Sequence, residues 1–157
     1  MVANPVLAHS VRGNFVENRH RGAICVSDAA GNILASIGDV AAEVFPRSAI
    51  KAMQALPIFA TGANARYGLA GPAIALTCAS HNGEVPHTDL AASMLAAIDL
   101  DAAALECGAH PPIDPAARKA LFAQGGKPGT LHNACSGKHS GMIAVARALG
   151  ENPEGYS

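Results

Sequence analysis

Phe45-Pro46-Arg47-Ser48-Ala49-Ile50-Lys51-Ala52-Met53-Gln54-Ala55 marks the point at which the chain changes character. Upstream lie short β-prone runs broken by turn residues. Gly22 to Ser27 and Ile33 to Ile37 flank Asp28-Ala29-Ala30-Gly31-Asn32, a good hairpin connection. Leu7 to Asn18 supplies earlier strands, with Gly13-Asn14 at a turn. Downstream the signals are helical. Pro46 precedes a helix from Ser48 through Ala55, with Ala49, Ile50 and Met53 on one face, and Pro57 marks a kink or a new helix start. Asp89 through Ile98 reads as a second helix, and Asp101 caps a short third that runs to Cys107. Asp114-Pro115 opens a fourth, closed near Gly125-Gly126. Lys138 through Leu149 makes a fifth, stopped by Gly150. Strands first and helices after predict an α+β fold, an antiparallel sheet with packed helices, rather than alternating βα units.

The chain has 157 residues, of which 50% are hydrophobic and 15% charged, so one domain with a packed core is expected. It has no Trp and only 4% aromatic residues, so that core must rest on Ala, Leu, Ile and Val. A net charge of -1 gives no electrostatic reason to expect nucleic acid or an anionic membrane as a partner. Met1 to Arg12 lacks a positive region followed by an apolar run, and no segment is apolar for the length a bilayer requires. A cytoplasmic protein is expected. Its four cysteines (Cys25, Cys78, Cys107 and Cys135) are then thiols, most of them small buried hydrophobes.

Ser48-Ala49-Ile50-Lys51 is the one S-x-x-K in the chain. On a helix the two side chains share a face, so the lysine amine can reach the serine hydroxyl. A neutral lysine can take the proton of an otherwise weak serine nucleophile, which requires its pKa to move from about 10.4 towards 7. At the helix start the Ser48 N–H also faces outward, where it can help hold an oxyanion. The alternative reading is an N-terminal helix serine beside a solvated lysine. Cys78-Ala79-Ser80-His81-Asn82-Gly83-Glu84 is a polar segment after the apolar run Ala73 to Leu76, suited either to binding a polar ligand or to bonding its own backbone. His132-Asn133-Ala134-Cys135-Ser136-Gly137-Lys138-His139 opens a helix with several acid–base or metal-binding groups, and reads either as a glycine-punctuated substrate loop or as part of a zinc site. His9, His20, His87 and His110 are read as surface or hydrogen-bonded residues.

Taken in order, Asn4-Pro5-Val6-Leu7, Val11-Arg12-Gly13-Asn14, His20-Arg21-Gly22-Ala23, Phe45 to Ala52, Cys78 to His81, Leu105-Glu106-Cys107-Gly108 and His132 to His139 resemble the bacterial L-asparaginase II family of the serine β-lactamase-like type. The resemblance implies a fold similar to penicillin-binding proteins, β-lactamases and serine-dependent glutaminases. It also implies Ser48 as nucleophile, Lys51 as its base and Ser80 as a second catalytic serine, whose lysine lies beyond Ser157. Arg47 and His139 are implied to line the substrate pocket. Cys135 and Lys138 match two ligands of the family's zinc site, and the further cysteine ligand also lies downstream. Family members are longer and generally homodimeric, which implies that residues 1–157 are the N-terminal part of a single domain, truncated at a loop near 151–157.

The expected activity is hydrolysis of L-asparagine to L-aspartate and ammonia through a Ser-Lys pair, on a small-molecule substrate and without nucleic acid or membrane. Acyl transfer on another amide such as glutamine is a rival within the same chemistry. A non-catalytic, truncated remnant is the rival outside enzymology.

Overall fold

The computed structural model describes residues 4–156, so Met1 to Ala3 of the expected leaderless start, and Ser157 of the expected closing loop, lie outside the described residues. The chain divides into two compact units, residues 1–45 and 46–157.

The first unit is built from two antiparallel hairpins. Strand β1 (Val6–Arg12) pairs with β2 (Phe15–Arg21), and β3 (Ile24–Ser27) pairs with β4 (Ile33–Ile37). Gly13-Asn14 closes the first with Gly13 at φ 59°, a value that glycine adopts without steric cost. In the second, Asp28 organises the turn. Its Oδ1 accepts the N–H groups of Ala30 (2.9 Å) and Asn32 (2.8 Å), and its Oδ2 accepts the Asn32 amide (2.8 Å). These bonds, the Asn32 side chain first, hold the Asp28 carboxyl below its ordinary range. The hairpins are separate two-stranded sheets, where a single antiparallel sheet was expected. Asn4 joins the unit end to end: its Oδ1 accepts the Asp39 N–H (2.7 Å) and its carbonyl accepts Arg21 Nη1 (2.7 Å). Val11, Phe15, Ile33 and Leu34 of this unit are exposed.

The second unit is helical. A 3-10 turn (Arg47–Ile50) leads into α1 (Lys51–Ala60), followed by α2 (Ala63–Arg66), α3 (Pro72–Cys78), α4 (Val85–Ala96), α5 (Pro115–Ala123) and α6 (Ser136–Leu149). Asp101 and Asp114 cap as expected, accepting the N–H groups of Ala103 (2.8 Å) and Ala117 (2.7 Å). Gly150 ends α6 at φ 80°. Pro57, read as a kink or a new helix start, lies inside α1, which spans Lys51–Ala60 where Ser48 through Ala55 was expected. The segment after Asp101 makes only a 3-10 turn over Ala102–Ala104, and α4 begins at Val85 and α6 at Ser136. The apolar run from Ala73 to Leu76 is the centre of α3, which Pro72 opens at its first position. No helix among the described residues is long and apolar enough to cross a membrane.

Helix α6 is the hub, packed on α1, α3 and α4. Its inner face carries Ser136, Gly137, Ser140, Gly141 and Ala144, and small residues at this spacing let helices approach closely. Around them Ile58, Leu76, Met94, Leu95, Ile98 and Ile143 form an aliphatic core. A Cβ on Gly137 would lie 2.4 Å from Leu76 Cγ and 2.7 Å from Leu76 O; one on Gly141 would lie 2.8 Å from Thr77 Cγ2 and 3.0 Å from Ile58 Cδ1. Alanine in a helix interior gains about 1 kcal/mol over glycine. Overpacking costs roughly 1–3 kcal/mol. Because a backbone carbonyl opposes it, Gly137→Ala is expected to lower the thermal midpoint, and by more than Gly141→Ala, in calorimetry. A higher midpoint for Gly137→Ala would show that α6 and α3 are not in this contact.

Candidate active site

The 3-10 turn runs straight into α1, and this junction carries Ser48 and Lys51. Arg47, just before Ser48, has φ 49°, a left-handed conformation that costs an L-residue roughly 1–2 kcal/mol. Ser48 is exposed, whereas Lys51 is only 3% exposed. Lys51 Nζ donates to Ala79 O (2.6 Å), Ser80 Oγ (2.7 Å) and Cys135 Sγ (3.3 Å). Ser80 Oγ is in turn 2.9 Å from Ser48 Oγ. Ser48 therefore reaches Lys51 through Ser80, where the sequence spacing suggested a direct pair. The reason is local. Ser48 sits in the tighter 3-10 turn, with its carbonyl bonded by the Lys51 N–H, while the Lys51 side chain runs inward to the end of α3.

Two backbone ties hold the other segments in place. The His81 N–H donates to Ala134 O (3.0 Å), joining the Ser80 strand of chain to the loop before α6. Asn133 clamps that loop: its Oδ1 accepts the Cys135 N–H (2.9 Å) and its Nδ2 donates to Cys107 O (2.6 Å) and Gly108 O (3.2 Å). The outcome is a pocket of about 310 Å³ lined by Arg47, Ser48, Lys51, Gln54, Cys135 and Lys138. Its three charged linings are all cationic. A larger apolar groove of about 450 Å³ lies on the other side of Gln54, between α1 and α6.

His139 is not among the pocket's lining residues. One residue beyond Lys138, it is turned about 100° around the helix and is 9% exposed. Its Nδ1 lies 2.8 Å from the Tyr156 hydroxyl, which also accepts the Glu106 N–H (3.0 Å). Burial, reinforced by the charges of Lys138 and Lys51, pushes His139 down to about 4. His81, 4% exposed, is pushed down to about 4 by burial, with His87, Lys51 and His132 adding to it. Its Nδ1 accepts the Gly83 N–H (3.1 Å) and its Nε2 lies 2.8 Å from Ser136 Oγ, which donates onward to Leu131 O (3.0 Å). His87, read from sequence as a surface or hydrogen-bonded residue, stacks on His81 at 5.1 Å, and its buried Nδ1 has no hydrogen-bond partner among the described residues.

All four cysteines are free; Cys25 is exposed and the other three are partly buried. Burial raises the Cys107 thiol. Cys135 and Lys138 share the pocket wall and offer one thiol and one amine towards a zinc ion. A structural zinc site takes four ligands. No group of three Cys, His, Asp or Glu placed to hold a metal occurs among the described residues, so these two donors do not make a site by themselves. The sequence reading gave Gln54, Asn133 and Tyr156 no role of their own, although Asn133 stood within the segment His132 to His139.

No curated protein matches this chain. The model of the L-asparaginase II family matches residues 8–157, nearly its whole length, and the chain belongs to that family.

The two buried imidazoles make stability depend on pH. Unfolded, they protonate near 6.5; folded, near 4. Between these values the unfolded chain binds more protons, so stability is full above pH 6.5 and falls as pH falls towards about 4. Urea titrations across this window are expected to show that decline, with a shallower slope for His81→Gln. A profile flat from pH 7 to 4 would place both rings in contact with water.

Proposed function

We propose that this member of the L-asparaginase II family hydrolyses the side-chain amide of L-asparagine to L-aspartate and ammonia, with Ser48 as nucleophile. The observation that carries the reading is the unbroken chain Ser48 Oγ, Ser80 Oγ, Lys51 Nζ at 2.9 and 2.7 Å, opening on a cationic pocket. Ser48 Oγ attacks the carboxamide carbon. Its proton passes to Ser80 Oγ as the Ser80 proton passes to Lys51 Nζ. For this Lys51 must present a lone pair to Ser80, keeping its two remaining hydrogens on Ala79 O and Cys135 Sγ, and both acceptors are in place. The proton returns by the same path to the departing nitrogen as the C–N bond breaks, releasing ammonia. Water then attacks the acyl ester and yields its proton to the relay, and aspartate leaves as Ser48 regains a hydrogen. Arg47 and Lys138 supply positive charge for the substrate carboxylate.

The same reading takes the fold as serine β-lactamase-like and residues 1–157 as the N-terminal part of one asparaginase domain. The exposed apolar side chains of the two hairpins are the surface on which a larger sheet would build. A homodimer, a cytoplasmic location and zinc at Cys135 and Lys138 belong to this proposal through the resemblance alone. A zinc ion there would take the Lys138 amine unprotonated and would itself supply the positive charge, and no step above runs through metal.

Three variants of the intact gene product test the chemistry by ammonia release from L-asparagine. Ser48→Ala is expected to lower kcat by on the order of 10³-fold or more. Ser80→Ala, which interrupts proton transfer, is expected to cost roughly 10²–10⁴-fold. Lys51→Arg is expected to fall with them, since a guanidinium cannot yield its proton. Substantial turnover by Ser48→Ala would remove Ser48 from the nucleophile's role.

A further inference from the structure

We infer that Gln54 is a specificity-determining residue, the acceptor that reads the α-ammonium group of the substrate. The inference rests on the hydrolytic reading of this pocket and names a contact within it. A free amino acid brings a carboxylate and an ammonium besides the amide that reacts. Arg47 and Lys138 give the pocket positive charge, and none of its six lining residues is acidic. Such a wall favours the carboxylate and repels the ammonium, so discrimination needs an acceptor within it.

The side chains leave one choice. Ser48 is the reacting group, bonded to Ser80, and Cys135 Sγ already accepts from Lys51. Gln54 stands three residues beyond Lys51 and six beyond Ser48, on the same side of α1, and lines the pocket. It is exposed, and its carboxamide bonds no other described group. It also lines the apolar groove between α1 and α6. From there its Oε1 can accept from an ammonium at the end of the substrate remote from Ser48. Gln54 keeps its neutral charge there, so it adds no competing partner for Lys51 or Lys138.

The test pairs L-asparagine with succinamate, the same amide and carboxylate without the amino group. Calorimetric titrations use Ser48→Ala, which keeps both ligands intact, and the double variants S48A/Q54L and S48A/Q54E. S48A is expected to bind L-asparagine more tightly than succinamate. Q54L is expected to weaken asparagine by about tenfold, the scale of one hydrogen bond to a charged group. Succinamate should change less than about twofold, since it makes no such bond. Q54E, which keeps an acceptor, is expected to retain the preference. Equal weakening of both ligands by Q54L, an unchanged preference, or no binding of asparagine to S48A overturns the inference. Turnover separates the two levels: undiminished hydrolysis by S48A alone removes the reading beneath, whereas a dead S48A with an unaltered Q54L preference removes Gln54 only.

Discussion

A buried amine fixes the geometry of this chain. Lys51 is 3% exposed, and each of its hydrogen-bonding directions is taken by a different group: a carbonyl at the end of α3, the next hydroxyl along, and a sulfur at the head of α6. Burying an amine with any direction unsatisfied costs roughly 1–3 kcal/mol, so the three partners are a condition of the fold. Three segments separated by dozens of residues thus meet at one amine. The pocket is the space that remains around that point.

The convergence needs α6 to lie unusually close to α3, and the small residues of the helix permit it. Gly137 and Gly141 have no room for a Cβ, and Ser136 and Ser140 turn their hydroxyls back on nearby carbonyls, Leu131 O and Ser136 O. A helix of larger residues would stand farther off and carry Cys135 and Lys138 away from Lys51. Scarce aromatic residues and abundant Ala and Gly are therefore consistent with the site as well as with the core. Interiors packed this way transmit displacement, because no void absorbs it.

Local chemistry was legible in the sequence and distance was not. Asp101, Asp114, Gly13 and Gly150 each announced a cap or turn because the group that satisfies the backbone lies within four residues. Helix α3 was obscured because seven residues, mostly Ala, Ile and Leu, show no period that separates helix from strand. Ser48 and Lys51 were legible as partners by spacing, yet the 3-10 turn between them and the arrival of Ser80 from 32 residues away could not be read from a four-residue motif. Gln54 was legible only once the pocket existed, since a glutamine on a helix is ordinary until the groups around it share one sign of charge. His139, which the family resemblance implies to line the substrate pocket, is bonded to Tyr156 and is not among the residues lining the 310 Å³ pocket, since one step along the helix turns it about 100° from Lys138.

Of the two described non-glycine residues at positive φ in the second unit, one lies where the chemistry is and the other, Asp99, lies after α4. Arg47 sits in the left-handed region beside Ser48, Lys51 is buried against the pocket, and His81 and His139 are buried rings that do not line it. Each is disfavoured taken alone, by roughly 1–2 kcal/mol for the backbone and by desolvation for the rings. The stabilising contributions lie elsewhere, in aliphatic contacts of Ile58, Leu76, Met94, Leu95 and Ile143 along α6, with no member of the reacting chain among them. This separation has a mechanical consequence. Substitutions in the aliphatic face act first on the distance between α6 and α3, and so on the reach from Lys51 to Cys135. Substitutions at Ser48 or Gln54 leave that distance alone, since these side chains are exposed and line the pocket. Stability and proton transfer are thus set by different side chains, joined only through Lys51 and the Ser80 hydroxyl bonded to it.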